Sequence, residues 1–370
     1  MSDKKKKTRK RRSRNGFLDM LNALLTLVVL GLVVGGALLF FATQRFYAQG
    51  DLAQDQTFTV ESGANLGSVA TQLVNENLIA DRWTFQFGAM AQRKEGSIRA
   101  GEYRIAAKSS MADILKEITE GRAITYSVTI PEGFTSWEVV KRINEAEYLV
   151  GEITRVPPEG SLLPNTYSFE RGADRQSILD RMAAKQDELL NEIWENRAPD
   201  LPINSPEELV ILASIVEKET GVAEERPEVA AVFVNRLNKG MRLQSDPTII
   251  YGITNGEGSL GRGLRRSEIE EKTAYNTYQI DGLPPGPISN PGIEALKAVA
   301  NPATTDAIFF VADGTGGHAF AVTYAQHQEN VAKWRVIERE RAAAAAEAQA
   351  QAEAAAARDA LQAEQAASDS

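Results

Sequence analysis

The sequence predicts an α+β fold that a single N-terminal helix anchors in a membrane. Three observations support this prediction. Residues 21–41 form an apolar run without a charged side chain. After this run, a pattern of short alternating strand, turn and amphipathic helix occurs three times. Between residues 157 and 334, helix-type periodicities are then mixed with short apolar runs that are typical of strands.

Basic residues are concentrated at the N-terminus. The stretch from Lys4 to Arg14 carries nine Lys and Arg side chains, and Asp3 is the one acid before Gly16. From Gly16 onward the chain has 32 basic and 49 acidic residues. Because neutralised phosphates drive nucleic-acid binding, this acidic body is not expected to bind nucleic acid. The basic segment, residues 1–20, is typical of a cytoplasmic topology signal.

The apolar run is long enough to cross a bilayer. It reads LNALLTLVVLGLVVGGALLFF, and a helix of this length spans roughly 30 Å of hydrocarbon. We therefore predict a transmembrane helix over residues 21–42, with the N-terminus in the cytoplasm and the remaining chain across the membrane. A cleaved signal peptide is the alternative. The anchor is favoured because the run is longer than a usual signal core and the following ATQRFYAQG contains only a poor cleavage site.

Three similar segments follow the membrane helix and define a predicted module over residues 55–150. Each combines an alternating strand, a small or glycine-containing turn and a helix with an apolar stripe. The segments are FTVESGANLGSVATQL (58–73), YRIAAKSSMADILKEI (103–118) and VTIPEGFTSWEVVKRI (128–143). Their uneven spacing predicts a small α+β module and not a solenoid. The module resembles LysM-like modules, which implies contact with glycans that contain N-acetylglucosamine; a purely spacing role is the alternative.

Residues 151–337 are predicted to form a second, mixed α+β domain. The periodicities predict helices over residues 180–194, 205–220, 224–238 and 293–299. Ser205 and Pro206 supply an N-cap and a first-turn proline for the second of these helices.

The remaining elements of this domain are a loop and two strands. The four prolines of GLPPGPISNPG (282–292) exclude a helix or a central strand and predict a rigid loop. A buried strand is expected over 307–313, and a strand followed by a helix is expected over 318–334. The Ala-rich tail, residues 338–370, is expected to be helical or frayed.

The stretch ILASIVEKETG (211–221) places two glutamates at the end of an apolar helix. The predicted apolar face comprises Leu209, Leu212, Ala213, Val216 and Thr220. Glu217 and Glu219 flank this face on opposite sides, so they are not expected to form a paired-carboxylate site. Glu219 has the more apolar surroundings, which raise the pKa of a carboxyl group and keep it protonated, as an acid catalyst needs. Two solvated charges at a helix end are the alternative.

Two polar stretches supply groups that suit a sugar. RLQSDPTIIYG (242–252) and AYNTYQIDGLPPGPISNP (274–291) combine tyrosines with amide, hydroxyl and carboxyl side chains. Sugar rings stack their CH groups on aromatic faces, and their hydroxyls need hydrogen-bond partners. A groove on a rigid frame fits these residues. Ordinary turn chemistry is the alternative for either stretch taken alone.

A family resemblance is carried by SLLPNTYSF, ILASIVEKETG, VFVNRLNKGMRLQSDPTIIYG, TAYNTYQIDGLPPGPISNPG and FFVADGTGGHAF, in this order. From Phe58 to Trp334 the chain resembles the endolytic murein transglycosylase family, the YceG-like proteins. The resemblance implies a single-pass protein of the bacterial inner membrane, with a LysM-like domain and a periplasmic catalytic domain that contains a glycan-binding cleft. It implies cleavage of nascent peptidoglycan between N-acetylmuramic acid and N-acetylglucosamine, with peptidoglycan synthases as possible partners. The implied catalytic residue is Glu219, the second glutamate of EKET.

The resemblance also implies which residues line the cleft. It assigns substrate binding to Asn235, Gln244, Asp246, Tyr251, Tyr275 and Asn276. It implies no cofactor, and a zinc site is not expected because the chain has no cysteine and only two histidines, His318 and His327. For Arg236 and His318, a structural ion pair and a turn position are the alternatives to substrate contact.

A lytic transglycosylase needs only one acid–base residue. Protonated Glu219 donates to the glycosidic oxygen, and its carboxylate then takes the proton of the muramoyl C6 hydroxyl, which closes on C1. A hydrolase that uses water usually needs two carboxylates; Glu217, Asp246 and Glu225 are the candidates for the second. A muramidase hydrolase and a non-catalytic, membrane-anchored glycan-binding scaffold are therefore the alternative functions.

Overall fold

The N-terminal apolar run forms one long helix. The structure is a computed structural model that describes residues 16–368; residues 1–15 of the predicted cytoplasmic basic segment lie outside these residues. Helix α1 spans Gly16–Tyr47 and contains the whole uncharged run. It is the one helix among residues 16–368 that is long and apolar enough to cross a membrane, and its apolar stretch is exposed. The apolar run that the sequence predicts to be a membrane anchor is therefore confirmed to be helical.

The rest of the chain folds as α and β elements in two compact units. The first unit holds the chain up to Tyr126 together with Glu170–Gly172, and the second holds Ser127–Phe169 and the chain from Ala173 onward. The third predicted strand–turn–helix segment, residues 128–143, belongs wholly to the second unit. The division of the chain after residue 150 stays a prediction.

The first unit is a two-stranded sheet with helices. Its elements after α1 are β1 (Gln56–Val60), α2 (Leu66–Asn75), α3 (Arg82–Ala91), β2 (Gly101–Ile105) and α4 (Met111–Glu120). Strand β1 pairs antiparallel with β2, and Phe58 lies opposite Tyr103. Capping boxes at Asn65 and Ser110 start α2 and α4. The first two predicted strand–turn–helix segments are therefore confirmed, whereas α3 was not predicted.

The second unit is mainly helical. Its elements are β3 (Thr125–Thr129, which begins in the first unit), α5 (Ser136–Asn144), β4 (Thr166–Glu170), α6 (Arg175–Glu195), α7 (Pro206–Glu219), α8 (Arg226–Asn238), α9 (Asp246–Thr254), α10 (Arg266–Glu270), α11 (Ile293–Ala300), β5 (Phe309–Ala312), β6 (His318–Ala321) and α12 (Tyr324–Ser368). Strand β3 pairs with β4, and β5 pairs antiparallel with β6. The third strand–turn–helix segment, the predicted helices and the loop nature of residues 282–292 are confirmed.

Helix α7 lies at the centre of the second unit. It packs against α6, α8, α9 and α11, and every residue of 209–216 is buried. The sequence predicts only one buried face, and this expectation is too narrow because neighbouring helices surround α7. Ser205 caps the helix through the N–H of Glu208, and Pro206 occupies the first turn, as predicted. The central position of α7 fixes the place of its last residue, Glu219.

The C-terminal strands are less buried than predicted. The strand expected over 307–313 covers only Phe309–Ala312, and its four residues are half-buried. It forms a hairpin with β6. Phe309 stacks on His327 of α12, and Phe310 contacts Phe233 of α8. Helix α12 then continues through the Ala-rich stretch, whose side chains from 342 to 356 are exposed.

Candidate active site

Glu219 ends α7 and meets the segment that leads into α9. The next residue, Thr220, has extended backbone angles and stops the helix. Oε1 of Glu219 accepts a hydrogen bond of 2.5 Å from the Oγ hydroxyl of Ser245. Ser245 is buried, while the side chain of Glu219 is half-buried. The carboxyl group therefore has one defined protein donor and keeps an approach from outside.

The surroundings of Glu219 favour its protonated form. Burial raises the pKa of this carboxyl, and the negative charge of Asp246 acts in the same direction. The hydrogen bond from Ser245 and the charges of His318 and Arg236 oppose this rise. The pKa of Glu219 still lies above the ordinary value for a glutamate. A carboxyl of this kind can hold a proton and donate it.

The segment that carries Ser245 alternates between buried and exposed residues. Gln244 and Asp246 are exposed, and Ser245 between them is buried. Thr277 holds this segment: its carbonyl accepts the N–H of Gln244 at 3.2 Å, and its hydroxyl accepts the N–H of Ser245 at 2.9 Å. Thr248 adds a hydroxyl 2.9 Å from that of Thr277. The buried contacts thus hold Ser245 inward, towards Glu219, and leave its two neighbours at the surface.

Asp246 is held by a tyrosine. The hydroxyl of Tyr278 donates a hydrogen bond of 2.8 Å to Oδ1 of Asp246. Burial raises the pKa of Tyr278, and the hydrogen bond to Asp246 raises it further, so this hydroxyl keeps its proton. Among the predicted site residues, Asp246 acts on the Glu219 carboxyl through its charge, and Gln244 adjoins Ser245, which donates to Glu219.

Two basic side chains near Glu219 have structural partners. The guanidinium of Arg236 is buried and donates to the carbonyls of Ile308, at 2.7 Å, and Leu243, at 2.6 Å. Its bonds are therefore to backbone oxygens, in place of the structural ion pair considered from the sequence. His318 begins β6, not a turn, and its Nδ1 lies 2.9 Å from Oε2 of Glu225.

Glu217 faces different partners from Glu219. Its Oε2 accepts the N–H of Gly292 at 2.9 Å, at the start of α11, and its Oε1 lies 3.8 Å from Nη2 of Arg226. The prediction that the two glutamates do not form a pair is confirmed. Because Glu225 is taken by His318, Asp246 is the candidate second carboxylate that the structure places beside Glu219.

A second cluster surrounds Tyr251 and Tyr275. Their ring centroids are 4.9 Å apart, with the planes tilted by 54°. The hydroxyl of Tyr251 interacts with Glu159, whose Oε1 also accepts the N–H of Ser136 at 2.8 Å and an N–H of Asn290 at 3.1 Å. Burial raises the pKa of Glu159 to about 7, although the hydrogen bonds from Ser136 and Tyr251 act to lower it.

The comparison with known proteins decides the family. Residues 58–333 match the model of the YceG-like family. The chain belongs to the YceG-like family. This match extends over parts of both units described above and includes Glu219, Ser245 and the tyrosine cluster.

Relatives of this YceG-like chain include named enzymes. An endolytic murein transglycosylase of Streptococcus pneumoniae strain D39 is 28% identical over 326 residues, which is 75% of this chain and 58% of that protein. An endolytic murein transglycosylase of Bacillus subtilis strain 168 is 25% identical over 343 residues, covering 84% of this chain and 93% of that protein. This chain thus aligns with little more than half of the pneumococcal protein.

A solved structure of a yceG-like protein from Listeria monocytogenes is also similar to this family member. It is 25% identical and covers 75% of this chain and 98% of its own, with a TM-score of 0.47.

Two asparagines expected in the cleft of this YceG-like protein are tied to its backbone. The Nδ2 group of Asn235 donates to the carbonyls of Thr305 and Ala307, at 2.7 and 3.0 Å. Asn276 is fully buried, and its Nδ2 group donates to three carbonyls of residues 268–271. The amide group of Asn276 is therefore not accessible to a ligand. Both asparagines hold loops of the second unit in place.

The sequence predicts no individual role for three residues of this site: Ser245, Tyr278 and Glu159. Ser245 and Tyr278 lie within the two polar stretches, but their contacts depend on a fold that joins positions more than 25 residues apart. Glu159 lies in a Pro- and Gly-rich loop, where a glutamate ordinarily faces solvent. Within residues 16–368, no group of three His, Asp or Glu side chains could hold a metal ion.

Proposed function

We propose that this protein is an endolytic lytic transglycosylase of peptidoglycan. It cleaves the glycosidic bond between N-acetylmuramic acid and N-acetylglucosamine and leaves 1,6-anhydro-N-acetylmuramic acid ends, so that nascent strands are trimmed or terminated. Membership of the YceG-like family and the names of the relatives support the proposal. The observation that carries it is the half-buried Glu219 carboxyl, with a raised pKa and a hydrogen bond from Ser245.

Glu219 acts first as the acid. In its protonated form it donates to the glycosidic oxygen, so the bond to the muramoyl C1 breaks as the leaving sugar gains a hydroxyl. Positive charge develops at C1 and the ring oxygen. Asp246, exposed and anionic beside Glu219, faces this charge and stabilises it electrostatically.

Glu219 acts next as the base. Now a carboxylate, it accepts the proton of the muramoyl C6 hydroxyl, and that oxygen closes on C1 to form the anhydro ring. The nucleophile belongs to the substrate, so neither an attacking water nor a second protein base is required. Ser245 holds the carboxylate through both steps, because its hydroxyl donates to Glu219 in either protonation state.

The residues that we propose to bind substrate fall into two groups. Gln244 and Asp246, the two neighbours of Ser245, have exposed side chains and bind sugar hydroxyls directly. Tyr251 and Tyr275, half-buried and in contact with each other, offer an aromatic face for a sugar ring. The other two members of the predicted cleft, Asn235 and Asn276, act through the loops that they hold.

The setting that we propose is the periplasmic face of the bacterial inner membrane. Helix α1 is the single-pass anchor, and the basic residues before it keep the N-terminus in the cytoplasm. The LysM-like segments of residues 55–150 then contact the glycan strand. Nascent strands are made at this membrane, so peptidoglycan synthases are the proposed partners.

The direct test is to identify the chain ends that the enzyme makes. Full-length protein in detergent is incubated with purified sacculi, and the released fragments are analysed by mass spectrometry. We expect anhydro ends from the wild type and none from Glu219→Gln. Glu217→Gln is the matched control on the same helix and is expected to keep making anhydro ends.

Each other outcome contradicts the proposal in a distinct way. Reducing ends indicate a muramidase hydrolase. Binding of sacculi without any cleavage indicates a glycan-binding scaffold. Full activity of Glu219→Gln moves the catalytic role to another residue, with Asp246 the first to examine.

A further inference from the structure

Helix α3 of the first unit has three different faces. Phe85 and Ala89 are fully buried in the hydrophobic core of that unit. A second face contacts the end of α1, where Phe46, only 3% exposed, lies so close to Gly88 that no side chain fits there. The last turns of α1 are therefore packed into the folded unit and do not form a loose tether.

The third face of α3 is apolar and exposed. Trp83 is 56%, Phe87 66% and Met90 54% exposed. At about 100° per residue these three side chains fall within an arc of about 60°, opposite the buried Phe85 and Ala89. Three neighbouring large apolar side chains on one surface helix are unusual for a protein surface that faces only water.

The position of this face along α1 indicates what covers it. Phe87 borders a groove whose α1 side includes Leu39, Ala42 and Thr43. The apolar run of α1 ends at Phe41, so Phe87 lies level with the end of the hydrocarbon-spanning segment. The exposed face of α3 is thus continuous with the exposed apolar surface of α1.

The flanking residues have the chemistry of a lipid interface. The guanidinium of Arg82 lies 4.6 Å from the centroid of the Trp83 ring. Arg93, just after α3, is exposed as well. Trp residues are enriched at the headgroup level of membranes, and Arg side chains extend from apolar surroundings towards phosphates.

We propose that α3 is an interfacial helix that inserts Trp83, Phe87 and Met90 into the boundary between lipid headgroups and acyl chains. Arg82 and Arg93 contact the headgroup phosphates. The proposal rests on α1 crossing the membrane, but not on the reaction at Glu219. It implies that two helices, packed through Phe46 and Gly88, hold the first unit at the lipid surface.

Site-specific labels can test this contact in the full-length protein. The chain has no cysteine, so Phe87→Cys can carry a single environment-sensitive fluorophore in vesicles of phosphatidylethanolamine and phosphatidylglycerol. Ser62→Cys is the matched control, because Ser62 is exposed and lies two residues after Val60, the last residue of β1. Strand β1 begins at Gln56, which pairs with Ile105 and lies near the segment that leaves α1. Ser62 lies beyond the opposite end of this strand.

We expect the label at residue 87 to emit at shorter wavelength, to lose quenching by aqueous iodide and to be quenched by spin-labelled lipid. The label at residue 62 should stay open to iodide. A third label, at Leu30→Cys, reports whether α1 is in the bilayer. If the label at 30 is protected but that at 87 is open to iodide, the proposal for α3 is overturned while the anchor stands. If the label at 30 is also open, the anchor and the proposal fall together.

A second copy of the chain is the rival occupant of this face. Dilution of the protein into a large excess of lipid separates the two cases, because contact between copies is then lost and contact with lipid is kept. A blue shift at residue 87 that survives dilution supports the lipid contact. A shift that disappears on dilution overturns it.

Discussion

The Oγ hydroxyl of Ser245 donates a hydrogen bond of 2.5 Å to Oε1 of Glu219. The two residues belong to different elements: Glu219 ends α7, and Ser245 precedes α9. The bond fixes the direction of the carboxyl, and it also opposes the rise in the pKa of Glu219 that burial causes. Its loss should therefore change both the rate and the pH profile.

Ser245→Ala is predicted to lower kcat by about tenfold to hundredfold, because a misdirected acid loses its alignment with the glycosidic oxygen. Without the hydroxyl, the pKa of Glu219 rises further, so the alkaline limb of kcat/KM moves to higher pH. The release of anhydro ends, measured across pH, checks both effects.

The control for this variant is Ser289→Ala. Ser289 is also a fully buried serine, but its hydroxyl lies 3.4 Å from the carbonyl of Ser214. It should leave the alkaline limb in place. If Ser245→Ala lowers the melting temperature but leaves the alkaline limb of kcat/KM at the same pH, Ser245 has only a structural role.

Asp246→Asn is predicted to move the same limb in the opposite direction. The negative charge of Asp246 raises the pKa of Glu219, so its removal lowers that pKa and shifts the loss of activity to lower pH. The kcat/KM profile of the free enzyme reports this shift. Asp281→Asn removes an exposed carboxylate that pairs with Arg242 and is expected to leave the profile unchanged. Identical shifts in both variants would mean a general effect of net charge.

The sequence predicts the frame of this site better than its contacts. The cap at Ser205 and the apolar run after it predict α7, because an N-cap and helical spacing are local signals. The raised pKa of Glu219 follows from the same run. The bonds from Ser245 to Glu219 and from Tyr278 to Asp246 could not be predicted, since each joins residues far apart in the chain.

Helix α3 shows a second limit of sequence patterns. Its apolar side chains lie on two opposite sides: Phe85 and Ala89 are buried, and Trp83 and Phe87 are exposed. A helix that is apolar on both sides lacks the single stripe from which amphipathic helices are predicted. The exposed apolar side is explained only by its position next to the end of α1, which the folded structure shows.

Glu217→Ala is predicted to destabilise the second unit by about 3 kcal/mol. The side chain of Glu217 is 7% exposed, and its removal leaves the N–H of Gly292 and the guanidinium of Arg226 buried without this carboxylate. Thermal unfolding in detergent measures the loss. Glu224→Ala, at an exposed glutamate nearby, is the control and should melt like the wild type. Equal melting of the two variants would contradict the structural role of Glu217.

Glu159→Gln is predicted to change how stability depends on pH. Burial raises the pKa of Glu159 from 4.5 to about 7, so the folded state binds this proton more tightly than the unfolded state. The resulting stabilisation is complete below about pH 4.5 and is lost as the pH rises to about 7. Relative to the Gln variant, the wild type should lose about 3 kcal/mol of unfolding free energy over this interval.

The test of Glu159 is the difference between two unfolding curves measured from pH 4 to pH 8. The subtraction removes the contribution of all other titrating groups. Glu152→Gln, at an exposed glutamate of the same connection, is expected to run parallel to the wild type at every pH. A Glu159→Gln curve that also runs parallel would place the pKa of Glu159 at its ordinary value.

Asn276→Ala separates a structural role from substrate binding. Asn276 donates to three carbonyls of residues 268–271 and accepts the N–H of Tyr278 at 3.0 Å. Its loss leaves these groups unpaired in a buried place, so we expect the unfolding free energy to fall by about 3 kcal/mol. Asn238→Ala, at an exposed asparagine, should melt like the wild type. If Asn276 bound sugar, the variant would have an unchanged melting temperature and a raised KM. A lower melting temperature shows instead that Asn276 is a structural residue that positions Tyr278.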